Sequence, residues 1–252
     1  MIIAAFNPKG GCGKTTTAVN LATTFAGMGR STLLVDLEAD MNASISLGAR
    51  PGDGGPSIAD ALSKYVRVTE AVRAVDGVSG LHLLQGSRTM TGIDRSLQHV
   101  RQPERRLADV IRPLASRFEV IVLDAPSGYS LMPTSVTLAA DYLVVPLRAE
   151  YLALESLAHF LRWYRDRRAP AQLAGILLTM VSYRRPTTRE IIRILRGHNR
   201  RGVFRTEIPD DARVAEAPSH GVPLVRFGRS KAAVAYRQLT KELIKRLAPR
   251  AR

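Results

Sequence analysis

Asn7-Pro8-Lys9-Gly10-Gly11-Cys12-Gly13-Lys14-Thr15-Thr16 decides the fold of this chain. The apolar run before it, Ile2-Ile3-Ala4-Ala5-Phe6, reads as a buried strand, and Thr16-Thr17-Ala18-Val19-Asn20-Leu21-Ala22 after it reads as the start of a helix. A strand, a glycine-rich turn, Gly-Lys-Thr and a helix in that order make the phosphate-binding loop of a nucleotidase. Gly10, Gly11 and Gly13 let successive backbone N–H groups converge on one anion, and the helix adds the positive end of its dipole. Lys14 is expected on the β and γ phosphates of a nucleoside triphosphate, and the Thr15 hydroxyl on Mg²⁺. Cys12 and Thr16 complete the cradle.

Working outward, apolar runs alternate with helical stretches. Ser31 to Asp36, Leu81 to Leu84, Phe118 to Leu123, Tyr142 to Leu147 and Gly175 to Met180 read as buried strands, and Val203 to Ile208 as a weaker one. Helices are expected from Ser57 to Lys64 and from Glu104 to Ser116, with a flexible loop at Pro51-Gly52-Asp53-Gly54-Gly55-Pro56. Alternation of this kind predicts an α/β fold: one domain, residues 1–252, with a mostly parallel twisted sheet and helices on both faces. Ligands in such sheets bind at the carboxyl ends of the strands, where the loop, Asp36 and Asp124 all fall.

Composition narrows the function. The chain has 252 residues, 45% of them hydrophobic and 23% charged, which suits one globular core. No uninterrupted apolar stretch is long enough to cross a bilayer. The N-terminus enters the first strand directly, so no signal peptide is expected. The lone cysteine has no partner for a disulfide or metal cluster, which points to a cytoplasmic compartment. Lys plus Arg number 37 against 22 Asp plus Glu, a net charge of +15, so a polyanionic partner is expected.

Two acidic segments follow strands. Asp124, after Phe118 to Leu123, has the form of an aspartate that fixes a metal through its waters. Asp36-Leu37-Glu38-Ala39-Asp40-Met41-Asn42 forms the second cluster. Hydrolysis needs a carboxylate within hydrogen-bond reach of the attacking water, and Glu38 is the first candidate, with Asp40 behind it.

A second lysine ahead of the glycines gives Lys-Gly-Gly-Cys-Gly-Lys-Thr-Thr, which resembles the deviant Walker A loop of the ParA/MinD family. The resemblance implies that Lys9 reaches across a dimer interface to the nucleotide held by the other subunit. The acidic cluster is similar to that family's Asp-x-Asp-Pro-Gln-x-Asn, with Asp36 matching the first acid and Asn42 the asparagine. Glu38 stands in place of the second acid, and Ala39-Asp40 replaces Pro-Gln. Asp36 is thereby expected beside the metal with Thr15 and Asp124. Asp141 to Glu155 is similar to the family's strand and helix start, and Ile208 to Gly221 to its adenine-side loop, which places Pro209, Asp210 and Ala212 at the nucleotide base. Asp210-Asp211 replaces the usual Arg-Asn.

Arginine placement addresses the polyanion. At about 100° per residue, Arg189, Arg193, Arg196 and Arg200 share one helical stripe, opposite Ile191, Ile192, Ile194 and Leu195. Arg184, Arg185, Arg201 and Arg205 flank the stripe, and Gly197 is expected to weaken or end the helix. A ridge of one sign suits phosphate-backbone contacts without sequence readout. The last helix, Ala235 to Leu247, is amphipathic, and its apolar face is expected to pack on the sheet rather than on a membrane.

The ParA-like resemblance therefore implies an ATPase that uses ATP and Mg²⁺ and dimerises with ATP. It binds DNA nonspecifically and answers to a cargo-bound, ParB-like activator that stimulates hydrolysis. Location on the nucleoid and no membrane partner go with it, and the cargo would be a chromosome, plasmid or large protein assembly. Two rivals stand beside it. A MinD-like membrane-associated regulator of division placement needs a free last helix. A metabolic enzyme on the same loop, such as a reductase or amide ligase, needs a cluster or substrate residues. A single cysteine excludes the iron–sulfur reductase.

Overall fold

The computed structural model describes residues 1–50 and 54–248. Pro51 to Asp53 of the expected flexible loop lie outside the described residues. Strands are β1 Ile2–Ala5, β2 Thr32–Asp36, β3 Val72–Ala74, β4 Leu81–Leu84, β5 Val120–Asp124, β6 Tyr142–Arg148 and β7 Gln172–Thr179. Helices are α1 Lys14–Gly27, α2 Asn42–Ile45, α3 Ile58–Leu62, α4 Val68–Ala71, α5 Ile93–Ser96 and α6 Arg106–Ile111, then α7 Leu131–Ala139, α8 Ala153–Asp166, α9 Pro186–Asn199, α10 Arg213–Ser219 and α11 Lys231–Leu247.

The strands form one sheet in the order β3-β4-β2-β5-β1-β6-β7, parallel throughout except for the antiparallel edge strand β3. The central strands are buried on both faces, which is why they read as continuous apolar runs rather than alternating ones. One core lies on each face. Phe6, Ile58, Leu107 and Phe160 belong to one; Phe25, Tyr236, Leu239 and Leu243 belong to the other.

Helix α1 is buried from Thr17 to Ala26 between the sheet and α11. Its polar side chains bond inward to remain satisfied: Thr23 and Thr24 donate to carbonyls one turn back, at 2.8 and 2.6 Å. Asn20 donates to Thr16 O at 2.8 Å and accepts from Val225 N at 2.9 Å, tying α1 to the turn before α11.

Three expectations change. Val203 to Ile208 makes only isolated pairings with the β7 region, Ile176 with Val203 and Val181 with Pro209. Between them the backbone turns away, because Glu242 on α11 takes the N–H groups of Arg205 and Thr206 at 2.8 and 2.9 Å. The expected helix from Glu104 to Ser116 is α6 flanked by 3-10 turns, the second carrying Pro113, which has no N–H to continue an α-helix. Gly197 does not end α9, which runs on to Asn199.

Candidate functional site

Residues 7–16 leave the carboxyl end of β1, between β5 and β6, and the neighbouring loops hold them in shape. Asn7 Nδ2 donates to Pro146 O at 2.7 Å, and Asn7 Oδ1 accepts from Lys9 N at 3.0 Å. Gly128 N donates to Pro8 O at 2.9 Å, and Thr179 Oγ1 to Cys12 O at 2.8 Å. Gly11 and Gly13 have φ of 69° and 90°, left-handed values that a side chain disfavours, and Gly13 caps α1. Sequence reasoning did not single out Asn7, Ser127 or Thr179. Only their places at or just past strand ends signal a role.

Lys14 is 5% exposed, and its ammonium donates to Ser127 Oγ at 2.7 Å and Lys9 O at 3.3 Å. The Cys12 thiol donates to Lys9 O at 3.2 Å, and burial pushes its pKa up despite the nearby lysines, so it stays neutral packing. Lys9 turns outward and pairs with Glu150 at 2.5 Å, holding that carboxyl below its usual range. Beside this pair Tyr151 and Leu152 are 83% and 56% exposed.

The acids gather as expected. Asp36 and Asp124 are partners in register on β2 and β5, both 0% exposed. Burial pushes the Asp124 carboxyl well up, and the neighbouring Asp36 and Glu38 push it further. The Thr15 hydroxyl lies close enough to favour ionised Asp124 yet short of a hydrogen bond, and both Asp124 oxygens lack partners. Two adjacent buried carboxylates, one with bare oxygens, beside Thr15 and an ammonium fit a hydrated divalent cation. Among the described residues there is no cluster of three or more acidic, histidine or cysteine ligands. Asp36, expected at the metal, has its oxygens engaged by Ser44 and Glu38 N–H.

Glu38 is half-buried; burial raises its pKa and the Asp36 and Asp40 charges push it further, with Lys14 and the Ser127 N–H offsetting this only in part. Asp40 is exposed, so the geometry favours Glu38 of the two. Pro209, Asp210 and Ala212 lie past the end of β7, where Asp210 N donates to Val181 O at 3.1 Å. Asp211 does structural work instead, accepting from Ser230 Oγ at 2.7 Å and Arg213 N at 3.0 Å.

On α9 the apolar side is buried at Ile191, Ile192 and Leu195, while Arg184, Arg185, Arg189, Arg193, Arg200 and Arg201 are exposed. Arg196 is the correction. It pairs with Glu207 at 2.7 Å and donates to the carbonyls of Phe204 and Arg205, so it fastens α9 to the segment along β7 rather than standing in the ridge. Its stripe position was legible; the acceptors beneath it come from the non-helical segment that follows α9. The apolar face of α11 is buried at Tyr236, Leu239 and Leu243. Among the described residues no helix is long and apolar enough to cross a membrane.

A family model described as AAA domain matches residues 1–169. The chain is 34% identical to the chromosome partitioning protein ParA of Myxococcus xanthus, across 99% of this chain and 89% of that protein. It is 35% identical to the chromosome-partitioning ATPase Soj of Thermus thermophilus, across 97% and 96%. Among solved structures it resembles a cobyrinic acid a,c-diamide synthase of Mycobacterium smegmatis with bound ATP analogue and magnesium, with TM-score 0.83 and 26% identity over 97% of this chain and 94% of that one.

Proposed function

We propose a function from one premise: the chain belongs to the ParA/MinD family of deviant Walker A ATPases, whose AAA domain model and full-length relatives it matches. It is an ATPase that uses ATP and Mg²⁺, of the partitioning or positioning kind. The finer reading is a single ATPase domain that dimerises on ATP, attaches to DNA without regard to sequence, and releases when a cargo-bound activator stimulates hydrolysis. The observation that carries it is the convergence at the carboxyl end of the sheet of a Lys9–Lys14 loop with Glu38 and Asp124.

The residues divide the work. The N–H groups of Gly10 to Thr15 cradle the phosphates, and Lys14 leaves Ser127 and the Lys9 carbonyl to neutralise the β and γ oxygens. Thr15 and Asp124 would hold Mg²⁺, which would screen phosphate charge when bound. Glu38 orients the attacking water; burial and the neighbouring Asp36 and Asp40 charges raise its pKa, and Lys14 and the Ser127 N–H offset this only in part. Pro209, Asp210 and Ala212 flank the base. Lys9 exchanges Glu150 for the nucleotide of the partner subunit, and exposed Tyr151 and Leu152 supply apolar area beside it for a second copy to cover. Dimerisation doubles the α9 arginines, so weak phosphate contacts become bivalent and ATP-dependent.

The MinD-like rival needs an α11 free to meet lipid, whereas its apolar face is buried here against α1 and the sheet. An amide ligase on this fold would consume ATP only with a carboxylate substrate and an amine source. The test is light scattering and DNA binding with a slowly hydrolysed ATP analogue. Lys14→Ala should lose ATP binding; Lys9→Ala should bind ATP yet stay monomeric and bind DNA weakly. A Lys9→Ala protein that dimerises like wild type would remove the cross-subunit role.

A further inference from the structure

Asp36 closes β2 fully buried, and its carboxylate is engaged by its own loop. Oδ2 accepts from Ser44 N at 2.9 Å and from Ser44 Oγ at 2.7 Å, and Oδ1 accepts from Glu38 N at 3.1 Å. Ser44, equally buried, accepts in turn from Gly86 N at 3.0 Å, two residues past β4. One hydroxyl therefore joins the end of β2, the short helix α2 and the end of β4. Gly86 permits the approach: a Cβ there would lie 2.9 Å from Glu38 O and 3.0 Å from Asp36 Cγ. Asp124, the register partner of Asp36, shows the opposite pattern, with neither oxygen bonded.

We infer that Asp36, Ser44 and Gly86 form a positioning clasp for the segment that carries Glu38, and that Mg²⁺ is held through Thr15 and Asp124 without Asp36. The segment is pinned at Glu38 N and again at Ser44, so the backbone under Glu38 cannot slide along the nucleotide. A carboxylate whose reach to a water must be right within a few tenths of an ångström needs such support. Glu38 makes the demand greater, because its longer side chain has an extra rotatable bond. Asp36 and Ser44 act through Glu38 and touch no reacting atom. The inference rests on the ATPase reading of the same site.

The test uses the full chain with Ser44→Ala, Ser44→Thr, Asp36→Asn and Asp124→Asn. Three quantities are measured: single-turnover ATP hydrolysis, the Mg²⁺ half-saturation for binding a fluorescent ATP analogue, and amide hydrogen exchange of residues 37–44 without nucleotide. Ser44→Ala and Asp36→Asn should slow turnover about ten- to a hundredfold and speed exchange, with Mg²⁺ half-saturation within about twofold of wild type. Ser44→Thr keeps the hydroxyl and should recover most of the turnover. Asp124→Asn should raise the Mg²⁺ half-saturation about tenfold or more. An Asp36→Asn protein whose Mg²⁺ requirement rises like that of Asp124→Asn overturns the inference, as does Ser44→Ala with wild-type turnover and exchange. If Ser44→Ala does not fold, Asp36→Asn decides by the same readouts. Absence of hydrolysis by the wild type would count against the ATPase reading itself, while loop exchange still reports on the clasp.

Discussion

Replacing Arg193 and Arg196 separately by alanine should give opposite phenotypes, although the two sit three residues apart on one helix. Arg193 is exposed, and so are Arg189 and Arg200. If each of these three contacts one phosphate, an ATP-bound dimer makes about six contacts, each adding about 0.9 to the log–log salt slope. Affinity for duplex DNA should then fall about a thousandfold between roughly 50 and 200 mM salt. Arg193→Ala removes two of the six and should flatten the slope by about 2, whatever the DNA sequence. Arg196 is only 27% exposed and serves Glu207 and two carbonyls. Removing it leaves those acceptors short of a donor, though Glu207 keeps the Tyr183 hydroxyl at 2.6 Å. The loss should be about 1–3 kcal/mol of stability, or about 2–4 °C in Tm per kcal/mol for a chain of this size, with the salt slope unchanged. Fluorescence anisotropy across salt concentrations, paired with thermal melts, reads both. The reasoning is refuted if Arg196→Ala flattens the slope as much as Arg193→Ala, or if Arg193→Ala leaves it intact.

Glu38→Ala should bind ATP and abolish turnover, whereas Asp40→Ala, altered at an exposed site, should retain it; loss of turnover in Asp40→Ala alone would move the water-orienting role to Asp40. Glu242 supports the C-terminal half in a pH-dependent way. Burial alone would raise its pKa, but the N–H groups of Arg205 and Thr206 with Arg246 outweigh it and hold the carboxyl below its usual range. A depressed folded pKa contributes stability above the unfolded value near 4.5, and that stability is lost as pH falls through the folded value. Glu242→Gln should therefore lower Tm at pH 7 and narrow its gap to wild type on acidification below the unfolded value. A gap that widens in acid would contradict this sign.

The phosphate loop was legible because its chemistry is local: three glycines, a lysine and a hydroxyl must occur at fixed spacing to wrap one anion, and Gly11 and Gly13 adopt the left-handed conformations this requires. The central strands were legible for an equally local reason, since burial on both faces demands unbroken apolar runs. Asp36 and Asp124 could be placed at the carboxyl end of the sheet from strand ends alone. Their division of labour could not, because it depends on Ser44 bonding one and nothing bonding the other. The same holds for Arg196, whose helical stripe says solvent while Glu207, eleven residues on, says anchor. The stretch from Val203 to Ile208 has a strand's composition, yet Glu242 on the last helix claims the N–H groups a neighbouring strand would need. Sequence fixes what a segment can do with its own neighbours along the chain. Which hydrogen-bonding groups and charges are already taken is decided only when distant segments meet.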